Sequence, residues 1–287
     1  MSTKLKHRAR PVVEADRASD GRGHVALVTG ASSGIGLAFA RLLAAKGYDV
    51  VPVARRLNRL ESLQRELEPR WDVRVHPVVA DLSRPDATER IVAALAEHDL
   101  RVDFLVNNAG FTLMGRFGDK DWKEYESYLR VLGTAPIELT HALLPAMVAQ
   151  RWGRIISVCS IAAAMQSSPT SILYSATKSM VQRFSEGVAH EYASDGINAT
   201  ASLPGMTATE IFQAGGYQKY VDGHRGAQMT MMQPEDFARE AYVAVMAGKR
   251  TIVHGAPNKI AVSLLLHTPI AVRRKLAAAM TGAIKFD

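Results

Sequence analysis

The sequence predicts an α/β fold, a doubly wound parallel sheet of about seven strands with helices on both faces. Three observations carry this expectation. Short apolar runs alternate with longer segments of helical period. A glycine-rich turn joins the first run to the first helical segment. The 287 residues are 47% hydrophobic, enough for one sizeable core without repeats or a long linker.

The alternation begins with HVALVTG, followed by the helical GIGLAFARLLAAKG, the strand-like DVVPVA, the helical LNRLESLQREL and the strand-like VRVHPVVAD. Further strand candidates are VDFLVNN, RIISVCS, INATASLPG and TIVHG, which bring the total to seven. Residues 1–22 are basic and too polar for a secretory signal, and read as a flexible arm before a single domain over 23–287. Residues 207–232, rich in Gly, Met and Tyr, have weak periodicity and stand between the sixth strand and a helix starting near Pro234. They are read as a substrate lid above the carboxyl edge of the sheet. Residues 258–287 read as a helical extension.

Net charge is +7, yet residues 1–22 contribute +3 and residues 249–287 contribute +6, so the middle of the chain is slightly acidic at −2. That distribution argues against nucleic acid as a partner. The single cysteine, Cys159, cannot form an internal disulfide, and no Cys/His cluster has zinc spacing, so a reducing cytoplasm is expected and a metal is not. The apolar stretch near Ile260 is broken by His267, Thr268 and Pro269, short of the roughly 20 residues that span a bilayer. Its apolar stripe beside Arg273, Arg274 and Lys275 is expected to cover the pocket or pack on another subunit, with peripheral membrane contact as the alternative.

In TGASSGIG, small residues let the backbone approach a pyrophosphate, and the following helix N-terminus offers oriented N–H groups. Gly30, Ser32, Ser33, Gly34, Ile35 and Gly36 are the candidate phosphate-turn residues. An acid at the end of the second strand would bind ribose hydroxyls, but Ala54 stands there, followed by Arg55 and Arg56. An arginine at that place neutralises a 2′-phosphate, so NADP(H) is preferred over NAD(H); a solvated helix start is the alternative for these arginines.

Then come NNAG (107–110), Ser160 after the fifth strand, YSATK (174–178) and the Pro204-Gly205 pair. In this order behind TGASSGIG, the sequence resembles the short-chain dehydrogenase/reductase family over about residues 23–255. The resemblance implies a Rossmann-type fold, a nicotinamide cofactor, hydride transfer between alcohol and carbonyl, and a homodimer or homotetramer. It also implies cofactor contacts from Asp81, Leu82, Asn108, Ala109, Gly110, Pro204, Gly205, Thr207 and Thr209. Tyr174 would exchange the proton with the substrate oxygen, Lys178 would bond the nicotinamide ribose, and Ser160 would steady the carbonyl oxygen. Tyr174 and Lys178, four residues apart, share a helical face, and a nearby ammonium is expected to lower a phenol pKa of about 10.

Two departures from the family pattern stand out. Ser160 precedes Tyr174 by fourteen positions where the family usually has thirteen; Ser157, Ser167 and Ser168 fit less well, and Cys159 reads as a small core residue. Leu132 occupies the position of the family asparagine, whose role is carried largely by its backbone carbonyl. Pro136, lacking an N–H, is expected to open the helix there and leave the Leu132 carbonyl available.

Phe111, Thr112, Met114, Leu132, Met165, Met206, Ile211, Phe212 and the cluster Met229 to Met232 are candidate pocket residues, suggesting a lipophilic substrate. His224 and Arg225 are read as solvated, and His141 and His190 as helix-surface or interface residues. An NADP(H)-dependent carbonyl reductase or alcohol dehydrogenase is the leading expectation. A catalytically weak NADPH-binding sensor or interaction protein, and a reductase of carrier- or CoA-bound ketoacyl groups, stay open as alternatives.

Overall fold

The computed structural model describes residues 21–113, 115–164, 172–205, 207, 231–269 and 272. Among them are β1 (Val25–Thr29), β2 (Asp49–Ala54), β3 (Val78–Val79), β4 (Val102–Asn107), β5 (Gly153–Val158), β6 (Ile197–Leu203) and β7 (Thr251–Val253). They form one parallel sheet in the order β3-β2-β1-β4-β5-β6-β7. Strand order reverses between β1 and β4, which opens a crevice at their carboxyl ends.

The helices are α1 (Gly34–Ala45), α2 (Leu57–Trp71), α3 (Ala87–Glu97), α4 (Trp122–Leu129), α5 (Ala135–Ala149), α6 (Ile172–Glu191), α7 (Pro234–Met246) and α8 (Ala256–His267). Strand alternation splits the core in two. Ala26 and Val28 pack with Phe39, Leu43, Leu60, Phe237 and Tyr242 of α1, α2 and α7 on one face. Leu27 and Leu105 pack with Ile91, Leu139 and Val188 of α3, α5 and α6 on the other. The seven-stranded, helix-covered sheet expected from the apolar alternation is therefore the observed fold.

Local chemistry adjusts three boundaries. The third strand is reduced to Val78–Val79, with a separate bridge at Val75, because Pro77 between them has no N–H for a ladder bond. Gly21 already belongs to the fold: its N–H donates to the Lys46 carbonyl at 3.0 Å, and a side chain there would run into the Tyr48 ring. The C-terminal extension starts at Ala256, two residues earlier than expected.

Helices α4 and α5 join through a π-helical turn, Arg130–Thr134, in which the Ala135 N–H donates to the Arg130 carbonyl five residues back. Pro136 follows immediately, so the expected opening of this helix is present. The continuous helix Trp122–Ala149 is long and apolar enough to cross a bilayer by composition, but more than half of its most apolar stretch is buried within the fold.

Candidate active site

At the carboxyl end of β1 the chain turns sharply into α1. Gly30 has φ +69°, and a Cβ on Gly36 would lie 2.3 Å from the Gly30 carbonyl oxygen and 2.6 Å from Asn108 Nδ2. Only glycine fits such an approach. Ser33 caps α1 without a side-chain bond, and the first turn of α1 holds no acid, so its positive end faces this turn unopposed. Arg56 Nη2 donates to the Ser32 and Ser33 hydroxyls at 2.9 and 3.3 Å, and Arg59 Nη1 to the Ser32 carbonyl at 3.3 Å. Arg55 and Asp81 line an adjoining cleft of about 290 Å³ together with Val79, Ala80 and Arg84. Leu82 is itself buried in the core.

Thr29 joins this turn to β4. Its hydroxyl donates to the Val106 carbonyl at 3.2 Å and accepts the Asn108 and Ala109 N–H groups at 2.9 and 3.0 Å. Asn108 Nδ2 returns a bond to the Thr29 carbonyl at 2.8 Å. Glycine turn, arginines and NNAG segment thus meet at the crevice and fit a dinucleotide: small residues, a helix N-terminus and cations where phosphates would lie.

Farther along the same edge, Ser160 follows β5; its Oγ accepts the Ala162 N–H at 3.2 Å, and its side chain stands near enough to the Tyr174 phenol to favour the phenolate. Ser157 lies buried within β5, while Ser167 and Ser168 lie outside the described residues. Of Ser157 and Ser160, both among the described residues, Ser160 is the one brought to Tyr174. Lys178, one turn along α6 and only 7% exposed, donates from Nζ to the Val158 carbonyl at 2.7 Å. Cys159 is buried with Val181, Ala201 and Leu203, and burial pushes its thiol up to about 12, which keeps it un-ionised and inert.

The sequence expectation that Lys178 lowers the Tyr174 pKa is reversed. Burial raises the phenol above its ordinary value, and the Ser160 side chain offsets only part of that rise. Burial likewise holds the Lys178 ammonium below its usual range. Sequence spacing places the two residues one turn apart, but burial is the largest influence on each of them.

Leu132 lies in the π turn, 2% exposed, with Cγ 3.7 Å from the position a Cβ on Gly110 would take. Leu132 and Phe111 are thereby core-packing residues; Phe111 meets the Tyr128 ring edge-on at 5.4 Å. Beside Tyr174 a small pocket is walled by Leu113, Phe117, Tyr125, Tyr128, Ile172 and Leu173. Its aromatic wall was not expected from the sequence, although Tyr125 and Tyr128 at helical spacing were a signal that one face of α4 is aromatic. Met114, Met165, Met206, Thr209, Ile211, Phe212, His224, Arg225 and Met229 lie outside the described residues. Thr207 pairs with Met232 in a parallel bridge, so both ends of the expected lid stand together, and Thr207 Oγ1 reaches the Gly205 carbonyl at 3.5 Å.

Comparisons with known proteins match this arrangement. A sulfoacetaldehyde reductase of Chromohalobacter salexigens is 36% identical over 225 residues, covering 76% of this chain and 87% of that protein. A solved short-chain dehydrogenase from Sphingobium yanoikuyae in complex with NADPH superposes with a TM-score of 0.73 at 29% identity, covering 92% of this chain and 99% of that one. A structure from work on 7beta-hydroxysteroid dehydrogenase stereoselectivity superposes with a TM-score of 0.81 at 25% identity, covering 93% and 100%. The family model for short chain dehydrogenases matches residues 24–218, and with the sheet order and the Ser160, Tyr174 and Lys178 cluster already in place, the chain belongs to the short-chain dehydrogenase family of oxidoreductases.

Proposed function

We propose that this protein is an NADP(H)-dependent reductase or dehydrogenase acting between a lipophilic ketone or aldehyde and the corresponding alcohol. The observation that carries the proposal is the side chain of Ser160 brought to the Tyr174 phenol, which itself lines a small pocket with Phe117, Tyr125 and Tyr128. A carbonyl group brought to Tyr174 would have the Tyr174 and Ser160 hydroxyls beside its oxygen and the aromatic side chains beside the rest of the molecule. The nicotinamide, when bound, supplies or accepts hydride. Tyr174 then donates the proton that completes the alcohol, and its raised pKa keeps it in the donating form at neutral pH. Ser160 orients the carbonyl oxygen toward that proton, and Lys178 sits where α6 meets the end of β5.

NADP(H) rather than NAD(H) is supported by Ala54 in place of an acid, by Arg56 and Arg59 bonded at the serines of the phosphate turn, and by Arg55 in the adjoining cleft. The solved short-chain dehydrogenase from Sphingobium is a complex with NADPH, which supports a nicotinamide cofactor. A second reading, an NADPH-binding protein of weak turnover, draws on Leu132 in place of asparagine. Oxidation of NADPH and NADH by the purified protein, with a panel of lipophilic ketones and aldehydes and Tyr174→Phe in parallel, separates the two. NADPH-linked turnover abolished in Tyr174→Phe supports the reductase; tight NADPH binding with no turnover in either protein supports the binder.

A further inference from the structure

A second hydrogen-bonded line of titratable groups lies behind the proposed site. Ser202 in β6 and His254 after β7 are both fully buried, and Glu240 on α7 keeps its carboxylate partly exposed. Ser202 Oγ and His254 Nε2 are 2.7 Å apart, and His254 Nδ1 and Glu240 Oε2 are 3.0 Å apart. A carboxylate only accepts, so Nδ1 carries the proton and Nε2 accepts from the Ser202 hydroxyl. The order serine, histidine, acid is that of a hydrolase triad, but a serine with no exposed surface offers nothing to a substrate. The Phe237 ring, 4.3 Å from the imidazole, further closes the site. The cluster is therefore mechanical.

What it holds is the end of β6. The His254 backbone N–H donates to the Leu203 carbonyl at 3.1 Å while its side chain takes Ser202. The His254 carbonyl accepts from Asn258 Nδ2 at 2.8 Å, and the Asn258 amide stands so close to Gly205 that a Cβ there would meet Nδ2 at 2.3 Å. From the other side, the Cys159 N–H donates to the Ser202 carbonyl at 2.8 Å and the Ile161 N–H to the Pro204 carbonyl at 3.0 Å. These two bonds flank Ser160. A displacement of Ser202 to Pro204 would therefore be passed directly to the hydroxyl that meets Tyr174.

We propose that His254, tethered by Glu240, is a positioning residue that fixes the Ser202 to Gly205 segment, and through it both the Ser160 hydroxyl and the turn next to the cofactor. The inference rests on the function proposed above. Besides Ser202, the titratable groups acting on His254 are Glu240 from α7 and Lys259 from α8. Burial and Lys259 oppose protonation, so the neutral tautomer with its proton on Nδ1 is the favoured form.

The test compares His254→Ala, Glu240→Ala and Glu240→Gln by kcat and KM for one carbonyl substrate, NADPH affinity by fluorescence titration, and thermal melting. Glu240→Gln keeps a side-chain oxygen to accept from Nδ1; Glu240→Ala does not. With each protein assayed well below its melting midpoint, His254→Ala and Glu240→Ala are expected to lower kcat by at least about tenfold, while Glu240→Gln stays within about threefold of the parent. KM for the carbonyl should move less than kcat, since the pocket wall is untouched. Should His254→Ala fail to fold, the Glu240 pair still decides, because its carboxylate lies partly in solvent. Equal kcat in Glu240→Ala and Glu240→Gln, or an unchanged kcat in folded His254→Ala, overturns the positioning role alone. A parent protein that turns over no carbonyl with either cofactor overturns the functional reading and this inference with it.

Discussion

Lys178 Nζ donates to the carbonyl of Val158 at 2.7 Å, tying the helix that carries Tyr174 to the strand that leads into Ser160. The bond places the ammonium at the hinge of the proposed site. It also gives Lys178 a function separable from that of Tyr174.

Replacing Tyr174 by Phe removes the proposed proton donor and leaves the ring, so turnover should fall by about 10²- to 10⁴-fold with NADPH affinity nearly unchanged. Lys178→Met should lose turnover and NADPH affinity together. Steady-state kinetics paired with fluorescence titration of NADPH tells the two apart. Parental NADPH affinity in Lys178→Met would remove Lys178 from the proposed cofactor contacts.

The raised pKa of Tyr174 fixes the direction of the pH response. Reduction requires the neutral phenol, which is the dominant form at every pH below the raised pKa. Its kcat/KM should stay flat between about pH 6 and pH 9 and fall only at more alkaline pH. Alcohol oxidation needs the phenolate and should climb with pH over the same interval. A reduction profile that breaks near neutrality would mean that the phenol is lowered in the working enzyme.

The guanidinium of Arg56 donates to the Ser32 and Ser33 hydroxyls, and under the proposed NADP(H) preference it would meet the 2′-phosphate. Arg56→Ala should weaken NADPH binding by about 10- to 100-fold, the worth of a charge-assisted hydrogen bond, and leave NADH binding nearly untouched. Competitive titration of the two nucleotides measures this. Equal losses for both would assign Arg56 to the turn itself.

The phosphate turn was legible in the sequence because its backbone admits few residue types: the Gly36 Cβ that would strike Gly30 can be foreseen from TGASSGIG alone. The sheet was equally legible, since its strands are short, mainly apolar runs that alternate with longer segments of helical period. Less local features were hidden. The Tyr174 pKa depends on how much packing surrounds the phenol, which a four-residue spacing to Lys178 does not encode. The aromatic wall needs α4 to be set against α6, and the His254 line needs β6, β7 and α7 to converge. The two-residue third strand depended on a single proline whose effect the apolar pattern masked.

Leu132 permits the sharpest check on the proposed proton path. Its side chain is buried against Gly110, whereas its carbonyl lies in a π turn where Pro136, four residues on, has no N–H to offer. If that carbonyl supplies what the family asparagine supplies, the side chain is free to be apolar. Leu132→Asn should then bury an amide among hydrocarbon, costing about 1–3 kcal/mol of stability, with turnover changing by less than about tenfold. Thermal melting and kcat of the same preparation test both halves. A gain in turnover of several orders of magnitude would show that the asparagine side chain itself was missing, and that the opened helix does not compensate for it.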